Sequence, residues 1–312
     1  MTAQNIAEGV LAGDRRAVAR AISMVEDGSS DLPELSSRIY ARTGRAYTVG
    51  LTGAPGVGKS SLTQQLIKAA RSRELTVAVL AIDPTSPFTG GALLGDRLRM
   101  QTHATDPGVF IRSMATRGHL GGLALAAPEA IRILDASGRD LVIVETVGVG
   151  QVEVEIAKAA DTTLVVVNPG WGDSIQVAKA GILEIADVFV VNKADREGAD
   201  RAVRDLELMV GMGPGDAWAP PVVATSATKE EGIDEMWDAV QAHRAHLEDR
   251  GRLRLKRRSR LLREVEDMVS QSLKGRAAQR LEAAPDLVED LYERRSDPYA
   301  AAAALVKKVL GS

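Results

Sequence analysis

Cysteine is absent from this chain of 312 residues. Without thiols, the protein cannot build a disulfide framework, a cysteine-ligated zinc site, an iron–sulfur cluster or a thiolate nucleophile. Aromatic residues are also scarce, at 3% of the sequence, and Trp171, Trp218 and Trp237 are too scattered to suggest a stacking platform. The formal net charge of −3 supplies no basic field, so we expect no nucleic-acid partner.

Long apolar runs are missing as well. Apolar runs such as residues 164–167 and 188–191 have the length of a strand, whereas a bilayer-spanning helix needs about 20 residues. The first residues of the chain include Glu8, Asp14 and Arg15 and lack the apolar segment of a secretory signal. We therefore expect a cytoplasmic protein with no membrane partner.

The rest of the sequence divides into three regions. Residues 1–45 have the pattern of short amphipathic helices. Residues 46–248 alternate apolar runs with helical stretches, which predicts a doubly wound, mostly parallel α/β sheet covered on both faces. Residues 249–312 form charged helices with too little core of their own, so this arm is expected to pack on the main domain or on a second subunit. The predicted strands are residues 47–52, 77–82, 109–112, 141–145, 163–168, 188–192 and 221–225.

A glycine-rich segment follows the first predicted strand and precedes a helical stretch. It matches the P-loop pattern G-x-x-x-x-G-K-[ST] with Gly53, Ala54, Pro55, Gly56, Val57, Gly58, Lys59 and Ser60. Glycines let backbone amides turn toward phosphate oxygens, and the start of the helix adds its positive end. Lys59 would place a cation on the β- and γ-phosphates, and the Ser60 hydroxyl can ligate Mg²⁺. The pattern predicts a nucleoside triphosphate hydrolase that uses Mg²⁺.

The tetrapeptide Asn192-Lys193-Ala194-Asp195 ends a later predicted strand. The Asp195 carboxylate can accept from guanine N1–H and the 2-amino group together, and adenine lacks this pair of donors. Asn192 would hold the edge of the base, and the Lys193 stem would cover its face. A backbone amide at Ser226 or Ala227, just after the last strand, is placed to reach guanine O6. The pattern predicts GTP and GDP as the bound nucleotides.

Two acids follow the ends of predicted strands, Asp83 after 77–82 and Glu145 at the end of 141–145. Because the carboxyl ends of parallel strands meet at one crevice, both are expected near the P-loop. Each is a candidate to hold Mg²⁺-bound water or to orient the attacking water. Asp96 is a further candidate Mg²⁺ contact, and the backbone amide of Gly148 is predicted to approach the γ-phosphate.

Residues 84–97 are rich in glycine, serine and threonine, which predicts a mobile segment that the γ-phosphate orders. No glutamine directly follows Gly148, and Gln151 lies three residues on, so slow intrinsic hydrolysis is expected. Several arginines could supply transition-state charge, and the sequence does not choose among Arg97, Arg99, Arg112 and Arg117.

Four strings of this sequence together resemble the MeaB/ArgK/MMAA family of P-loop GTPases. They are G-A-P-G-V-G-K-S, A-I-D-P-T-S-P-F-T-G-G-A-L-L-G-D-R-L-R-M, E-T-V-G-V-G-Q-V-E and N-K-A-D, and the second is the most family-specific. The resemblance implies a GTPase chaperone of an adenosylcobalamin-dependent acyl-CoA mutase, of the methylmalonyl-CoA or isobutyryl-CoA type. Such proteins gate cofactor loading and protect the mutase from inactivation. The resemblance also implies a homodimer held through the C-terminal helices.

The resemblance can be carried over residue by residue. It places the magnesium and switch acids on Asp83, Asp96 and Glu145, and a further mobile element on residues 169–179. Two differences from the family pattern lie in the switches: Lys179-Ala180-Gly181 replaces paired lysines, and Asp83-Pro84-Thr85 lacks an arginine before the threonine. These differences concern the identity of the mutase and leave the nucleotide site intact. The implied nucleotide contacts are Gly53, Ala54, Pro55, Gly56, Val57, Gly58, Lys59, Ser60, Ser61, Asn192, Lys193, Asp195, Ser226 and Ala227.

Other functions remain as alternatives. The ArgK name carries an older assignment as a kinase in arginine and ornithine transport, although the sequence displays no phospho-acceptor site. A metal-insertion GTPase would need a cluster of His or Cys ligands, and His243 and His246 are expected to be solvated on an exposed helix. A third alternative is a clamp that binds GTP and hardly turns it over.

The basic run Lys256-Arg257-Arg258-Ser259-Arg260 resembles a nucleic-acid patch at first sight. Acidic residues follow it closely at Glu264, Glu266 and Asp267. We therefore interpret the run as part of a salt-bridged helix face.

Overall fold

The computed structural model describes residues 2–83, 103, 105–115, 122–146, 157–170, 185–212 and 218–311. Within these ranges a seven-stranded parallel sheet forms the centre of the molecule, which confirms the predicted α/β class. Its strands are β1 Tyr47–Thr52, β2 Val77–Asp83, β3 Val109–Ala115, β4 Leu141–Thr146, β5 Thr162–Val167, β6 Val188–Asn192 and β7 Val222–Thr225. The order across the sheet is β3-β2-β4-β1-β5-β6-β7, so β1 lies between β4 and β5 and its carboxyl end opens onto the central crevice.

Helices surround the sheet on both faces. The described helices are α1 Ala3–Leu11, α2 Arg15–Glu26, α3 Leu32–Ile39, α4 Lys59–Arg71, α5 Gly122–Ala136, α6 Ala199–Gly211, α7 Ile233–Glu248, α8 Arg252–Glu282, α9 Pro285–Tyr292 and α10 Pro298–Leu310. Short 3₁₀ segments follow α3, at Tyr40–Arg42, and α7, at Asp249–Gly251. None of the described helices is both long enough and apolar enough to span a bilayer.

Strand residues are buried on both faces of the sheet, which explains the nearly continuous apolar runs. In β2, Leu80 and Ile82 pack into a cluster on one face of the sheet, whereas Val77 and Val79 pack into a cluster on the other. Successive side chains of a strand point to opposite faces, so a sheet covered on both sides needs apolar residues at every position.

The N-terminal helices cover the β2–β4 side of the sheet. Val10 of α1, Ile22 of α2 and Leu35 of α3 are fully buried in the same hydrophobic cluster as Leu80 and Val144. Their apolar residues recur at helical spacing, so each helix has an apolar face to place against the sheet. The N-terminal helices therefore share their core with the sheet.

Local signals set the ends of these helices. The Asp14 carboxylate accepts a hydrogen bond from the backbone amide of Arg16 at 2.7 Å and caps the start of α2. Gly13 and Gly28 have φ values of 74° and 59°, so they interrupt the helical backbone where L-residues with side chains are disfavoured.

Helix α8 docks on the edge of the sheet where the strands begin. Asp161 is fully buried there and accepts from Arg257 at 2.6 Å, Arg260 at 2.9 Å and the Thr48 amide at 3.1 Å. Burial opposes ionisation of this carboxyl, but hydrogen bonds and charge from the two arginines outweigh it and lower the pKa of Asp161. The basic run is salt-bridged as interpreted, although to Asp161 rather than to the acids of its own helix.

A second ion-pair group ties α8 to α5. Arg132 of α5 donates to Glu264 of α8 at 2.8 Å and also pairs with Glu129. The last helix of the arm, α10, packs back on α8. Large apolar side chains of the arm are exposed, namely Leu255, Leu261, Leu262, Val265, Met268, Val269, Val288, Tyr292, Tyr299 and Val306.

Candidate functional site

The loop after β1 turns into α4 through glycines with left-handed backbone. Gly53 and Gly58 have φ values of 138° and 101°. A Cβ at Gly53 would lie 2.1 Å from the carbonyl oxygen of Val166 in β5, so no side chain fits there. Helix α4 begins at Lys59, immediately after the loop. The first turn of a helix offers backbone N–H groups that the helix itself does not use, so a helix start at this position suits an anion. This strand–loop–helix unit has the form of a phosphate-binding loop.

The Lys59 ammonium lies inside this loop. Its Nζ donates to the carbonyl oxygens of Gly53 and Ala54, the second at 3.1 Å, and only 7% of the residue is exposed. A lysine ammonium held in this loop beside the start of a helix supplies positive charge for phosphate oxygens.

Glu145 lies beside the start of α4. It is 1% exposed, and its two oxygens accept from Ser60 Oγ at 2.6 Å and from Thr63 Oγ1 at 2.9 Å. Asp83 ends β2, the strand next to β4, and thus lies at the same edge of the sheet. The fold therefore brings the Glu145 carboxylate into contact with the Ser60 hydroxyl, two of the groups that were predicted to serve Mg²⁺.

Asn192 joins the phosphate loop to the last strand. Its Nδ2 donates to Val57 O at 2.8 Å, and its Oδ1 accepts from the Ala227 amide at 3.2 Å. A Cβ at Gly58 would lie 2.2 Å from Asn192 Nδ2, so glycine is required for this approach. The buried amide of Asn192 acts as a spacer between two loops.

Lys193 and Asp195 follow at the rim of the crevice. Lys193 adopts a φ of 61°, and its Nζ donates to Gly56 O at 2.6 Å, so its stem reaches across toward the phosphate loop. Asp195 is exposed and accepts from Ser226 Oγ at 2.9 Å. That hydrogen bond is the main cause that lowers the pKa of Asp195, which keeps the carboxylate ionised and able to accept two donors.

The segment after β7 is fastened to α4. Gln65 Nε2 donates to Ala227 O at 2.9 Å, and Lys68 pairs with Glu230. Gly232 has a φ of 70°, and a Cβ there would lie 2.0 Å from Ala224 O, so the segment turns tightly. Neither Thr63 nor Gln65 belongs to a motif, and the sequence interpretation missed both.

Some predicted site residues lie outside the described residues. They are Asp96, Gly148, most of the element at residues 169–179, and Arg97, Arg99 and Arg117. For Asp83 the backbone alone is described. Arg112 sits in the middle of β3, where its guanidinium donates to Ser23 Oγ at 3.0 Å and Glu26 Oε2 at 2.6 Å of α2. It therefore points to the N-terminal helices and not to the carboxyl edge of the sheet.

The expectation of a solvated histidine pair was wrong for His243. This residue is 2% exposed, with Nδ1 2.8 Å from Thr162 Oγ1 and Nε2 3.3 Å from Asp187 Oδ1. Burial lowers the pKa of His243 to about 4, although the Asp187 carboxylate acts in the opposite direction. Within the described part of the chain, no three His, Cys, Asp or Glu residues are grouped to hold a metal ion.

The amino-acid sequence of this chain matches a known protein family. The family described as "Methylmalonyl Co-A mutase-associated GTPase MeaB" matches residues 18–282. A protein of Pyrococcus abyssi is 52% identical over 305 residues, covering 96% of this chain and 94% of its own. GTPase ArgK of Escherichia coli is 38% identical over 250 residues, covering 77% of this chain and 76% of its own.

A solved structure shares the fold. The crystal structure of LAO/AO transport system kinase is 25% identical and superposes with a TM-score of 0.73, covering 99% of this chain and 97% of that chain. The resemblance found in the sequence motifs is thereby confirmed. The chain belongs to the MeaB family of methylmalonyl-CoA mutase-associated GTPases, and it is a P-loop GTPase.

Proposed function

We propose that GTP binds with Mg²⁺ along the crevice at the carboxyl ends of β1, β4 and β6, and that the residues of this crevice carry its hydrolysis. The main support is the bridge that Asn192 makes between Val57 of the phosphate loop and Ala227. This bridge sets the phosphate loop and the segment for the base at a fixed separation. The proposed nucleotide contacts are Gly53, Ala54, Pro55, Gly56, Val57, Gly58, Lys59, Ser60, Ser61, Asn192, Lys193, Asp195, Ser226 and Ala227.

The oxygen donors beside the loop fit Mg²⁺. Ser60 Oγ and the Glu145 carboxylate are hard ligands in mutual contact at 2.6 Å, the donor type that Mg²⁺ prefers. We propose Ser60 and Glu145, together with Asp83 and Asp96, as the residues that serve the ion. Bound Mg²⁺ would neutralise charge on the phosphate oxygens. Lys59 stabilises the same charge, and Gly148 is proposed to offer its amide to the γ-phosphate.

Guanine selection is proposed to rest on Asp195. Asp195→Asn should weaken GTP binding at least tenfold, because a lost charged hydrogen-bond pair costs about 1.5–3 kcal/mol. The same variant should favour xanthosine triphosphate, whose base offers an acceptor where guanine has the 2-amino group. Calorimetry on both nucleotides measures this, with Asp200→Asn on the exposed side of α6 as the matched control. Unchanged GTP affinity in Asp195→Asn would contradict the assignment.

We further propose that the GTPase acts as a chaperone of an adenosylcobalamin-dependent acyl-CoA mutase. Membership of the MeaB family supports this partner class, since the family is described as methylmalonyl-CoA mutase-associated. In this proposal, the nucleotide state gates cofactor loading and protects the mutase from inactivation. The mutase-coupling element is proposed to include residues 169–179.

A GTPase assay with and without purified methylmalonyl-CoA mutase tests the partner. We expect faster phosphate release with the mutase and co-elution in at least one nucleotide state. A CoA-dependent enzyme without cobalamin is the matched control and should change nothing. An unchanged rate together with no co-elution in either nucleotide state would remove the chaperone proposal, and transfer of the γ-phosphate to an acceptor would favour the kinase alternative.

The C-terminal arm is proposed to form a homodimer. The exposed apolar side chains along α8, including Val265 and Val269, support a second subunit as their cover. Val265→Glu with Val269→Glu should yield monomers in light scattering, whereas Ser270→Glu on the same helix should not. A wild-type chain that is monomeric at high concentration would overturn this. The cytoplasmic location and the boundaries at residues 45 and 248 stay predictions.

A further inference from the structure

A second pocket lies at the edge of the sheet where the strands begin, opposite the GTP site. It has a volume of about 360 Å³ and is lined by Tyr47 and Leu141, which start β1 and β4, and by Trp237 and Arg244 of α7. Strand β1 has six residues, and a strand rises about 3.3 Å per residue, so roughly 20 Å separates this pocket from the phosphate loop. A ligand in this pocket would be distinct from the nucleotide.

Positive charge dominates the lining. Four guanidinium groups line the pocket, those of Arg42, Arg45, Arg139 and Arg244, and the last of them also pairs with Glu248 at 2.8 Å. The two lining carboxylates already accept hydrogen bonds from neighbouring groups of the chain. Asp135 accepts from the amides of residues 44–46, and Asp140 accepts from the amide and hydroxyl of Thr76. The arginines outnumber the acids, and we name this site the arginine pocket.

Arg139 is the buried member of this group. It is 8% exposed, its Nε is buried without a hydrogen-bond partner, and its Nη1 lies 3.5 Å from the carbonyl oxygen of Pro107. No carboxylate among the described residues forms an ion pair with it. Burial, and then the like charges of Arg15 and Arg71, lower the pKa of Arg139, although the Asp140 carboxylate acts in the opposite direction. A buried charge in this condition costs free energy that a bound anion would recover.

We propose that the arginine pocket binds a phosphate-bearing organic molecule. Guanidinium groups offer planar pairs of N–H donors that match phosphate oxygens, which explains several arginines at one site. The volume exceeds that of a phosphate ion and falls in the range of small-molecule sites. Leu11, Leu75 and Ala136 supply an apolar wall for the organic part. The inference does not depend on which base the GTP site prefers.

The test uses the full-length protein saturated with GDP, so that the phosphate loop is occupied, and phenyl phosphate as the probe. Calorimetry should show uptake of phenyl phosphate by the wild type. Arg139→Met should weaken this binding at least tenfold, and Arg45→Gln should weaken it at least threefold. Arg201→Gln on the exposed side of α6 is the control and should bind the probe like the wild type.

Thermal unfolding supplies an independent measurement. Phenyl phosphate should raise the Tm of the wild type, and the same concentration should raise the Tm of Arg139→Met by less. Arg45 is exposed, so its variant keeps the test valid if Arg139→Met fails to fold. GDP affinity should be the same in all variants, which separates a failure at this site from a failure at the GTP site. The proposal is overturned if GDP-saturated wild type takes up no probe, or if all variants bind it equally.

Discussion

Replacing Asp161 with asparagine removes one negative charge from the place where α8 meets the sheet. The carboxylate is fully buried and accepts from Arg257, Arg260 and the Thr48 amide. Removing one partner of a buried ion pair costs about 3–5 kcal/mol, because the remaining charge stays buried and unpaired. Asparagine keeps one acceptor oxygen and the arginines are partly exposed, so we expect the lower end, about 3 kcal/mol.

Urea unfolding at neutral pH measures this loss of stability. The matched control is Asp205→Asn, which removes an acid whose exposed pair with Arg201 spans 3.8 Å. An exposed pair of this kind contributes less than about 0.5 kcal/mol. Limited proteolysis should cut the arm of Asp161→Asn faster than that of the control, since α8 loses its main polar contact with the sheet.

Acid should remove the difference between wild type and Asp161→Asn. The folded pKa of Asp161 lies below its ordinary value, so its stabilisation is complete above the unfolded pKa of about 4. It is lost as the pH falls through the folded pKa, and asparagine has no such dependence. A cost below about 1 kcal/mol at neutral pH, with an arm as resistant as in the control, would refute the role of Asp161 as the anchor.

Two further predictions concern the GTP site and pH. Gly58→Ala should weaken GDP binding at least tenfold in calorimetry, because its Cβ would lie 2.2 Å from Asn192 Nδ2 and left-handed backbone costs about 1–2 kcal/mol. The control is Gly138→Ala: Gly138 has a φ of 83° and a Cβ there would have no neighbour within 4 Å, so this variant should bind GDP like the wild type. Equal GDP affinities of Gly58→Ala and Gly138→Ala would contradict the role of the contact between Gly58 and Asn192. From about pH 7.5 to about pH 5 the wild type should lose about 2 kcal/mol more stability than His243→Gln, because His243 is buried neutral with a pKa of about 4. Parallel stability curves for these two proteins would show that His243 is not the titrating group.

Local patterns were sufficient for the fold class and for the two principal motifs. Val77 through Ile82 are apolar at every position, and a run of this length is typical of a strand buried on both faces. Gly53 and Gly58 were recognisable because the left-handed backbone of the phosphate loop and its close contacts require glycine. Asn192 and Asp195 were recognisable because they belong to an N-K-x-D pattern at the end of a strand, and their role in base selection stays a prediction.

Long-range partners could not be predicted in the same way. Thr63 and Gln65 contact Glu145 and Ala227, which lie 82 and 162 residues away along the chain. No local pattern on α4 marks these two side chains. Their roles follow from the register of β4 and β7 against the helix, which is a property of the folded sheet.

The sequence alone determined that this chain forms a doubly wound sheet with a phosphate loop and a guanine motif, because glycine conformations and apolar periodicity act within a few residues. The tertiary structure decided that His243 is buried and neutral, that Arg257 pairs with Asp161, and that the buried Nε of Arg139 has no hydrogen-bond partner among the described residues. These outcomes depend on which distant elements pack around each side chain, and burial and Coulomb interactions change with that packing.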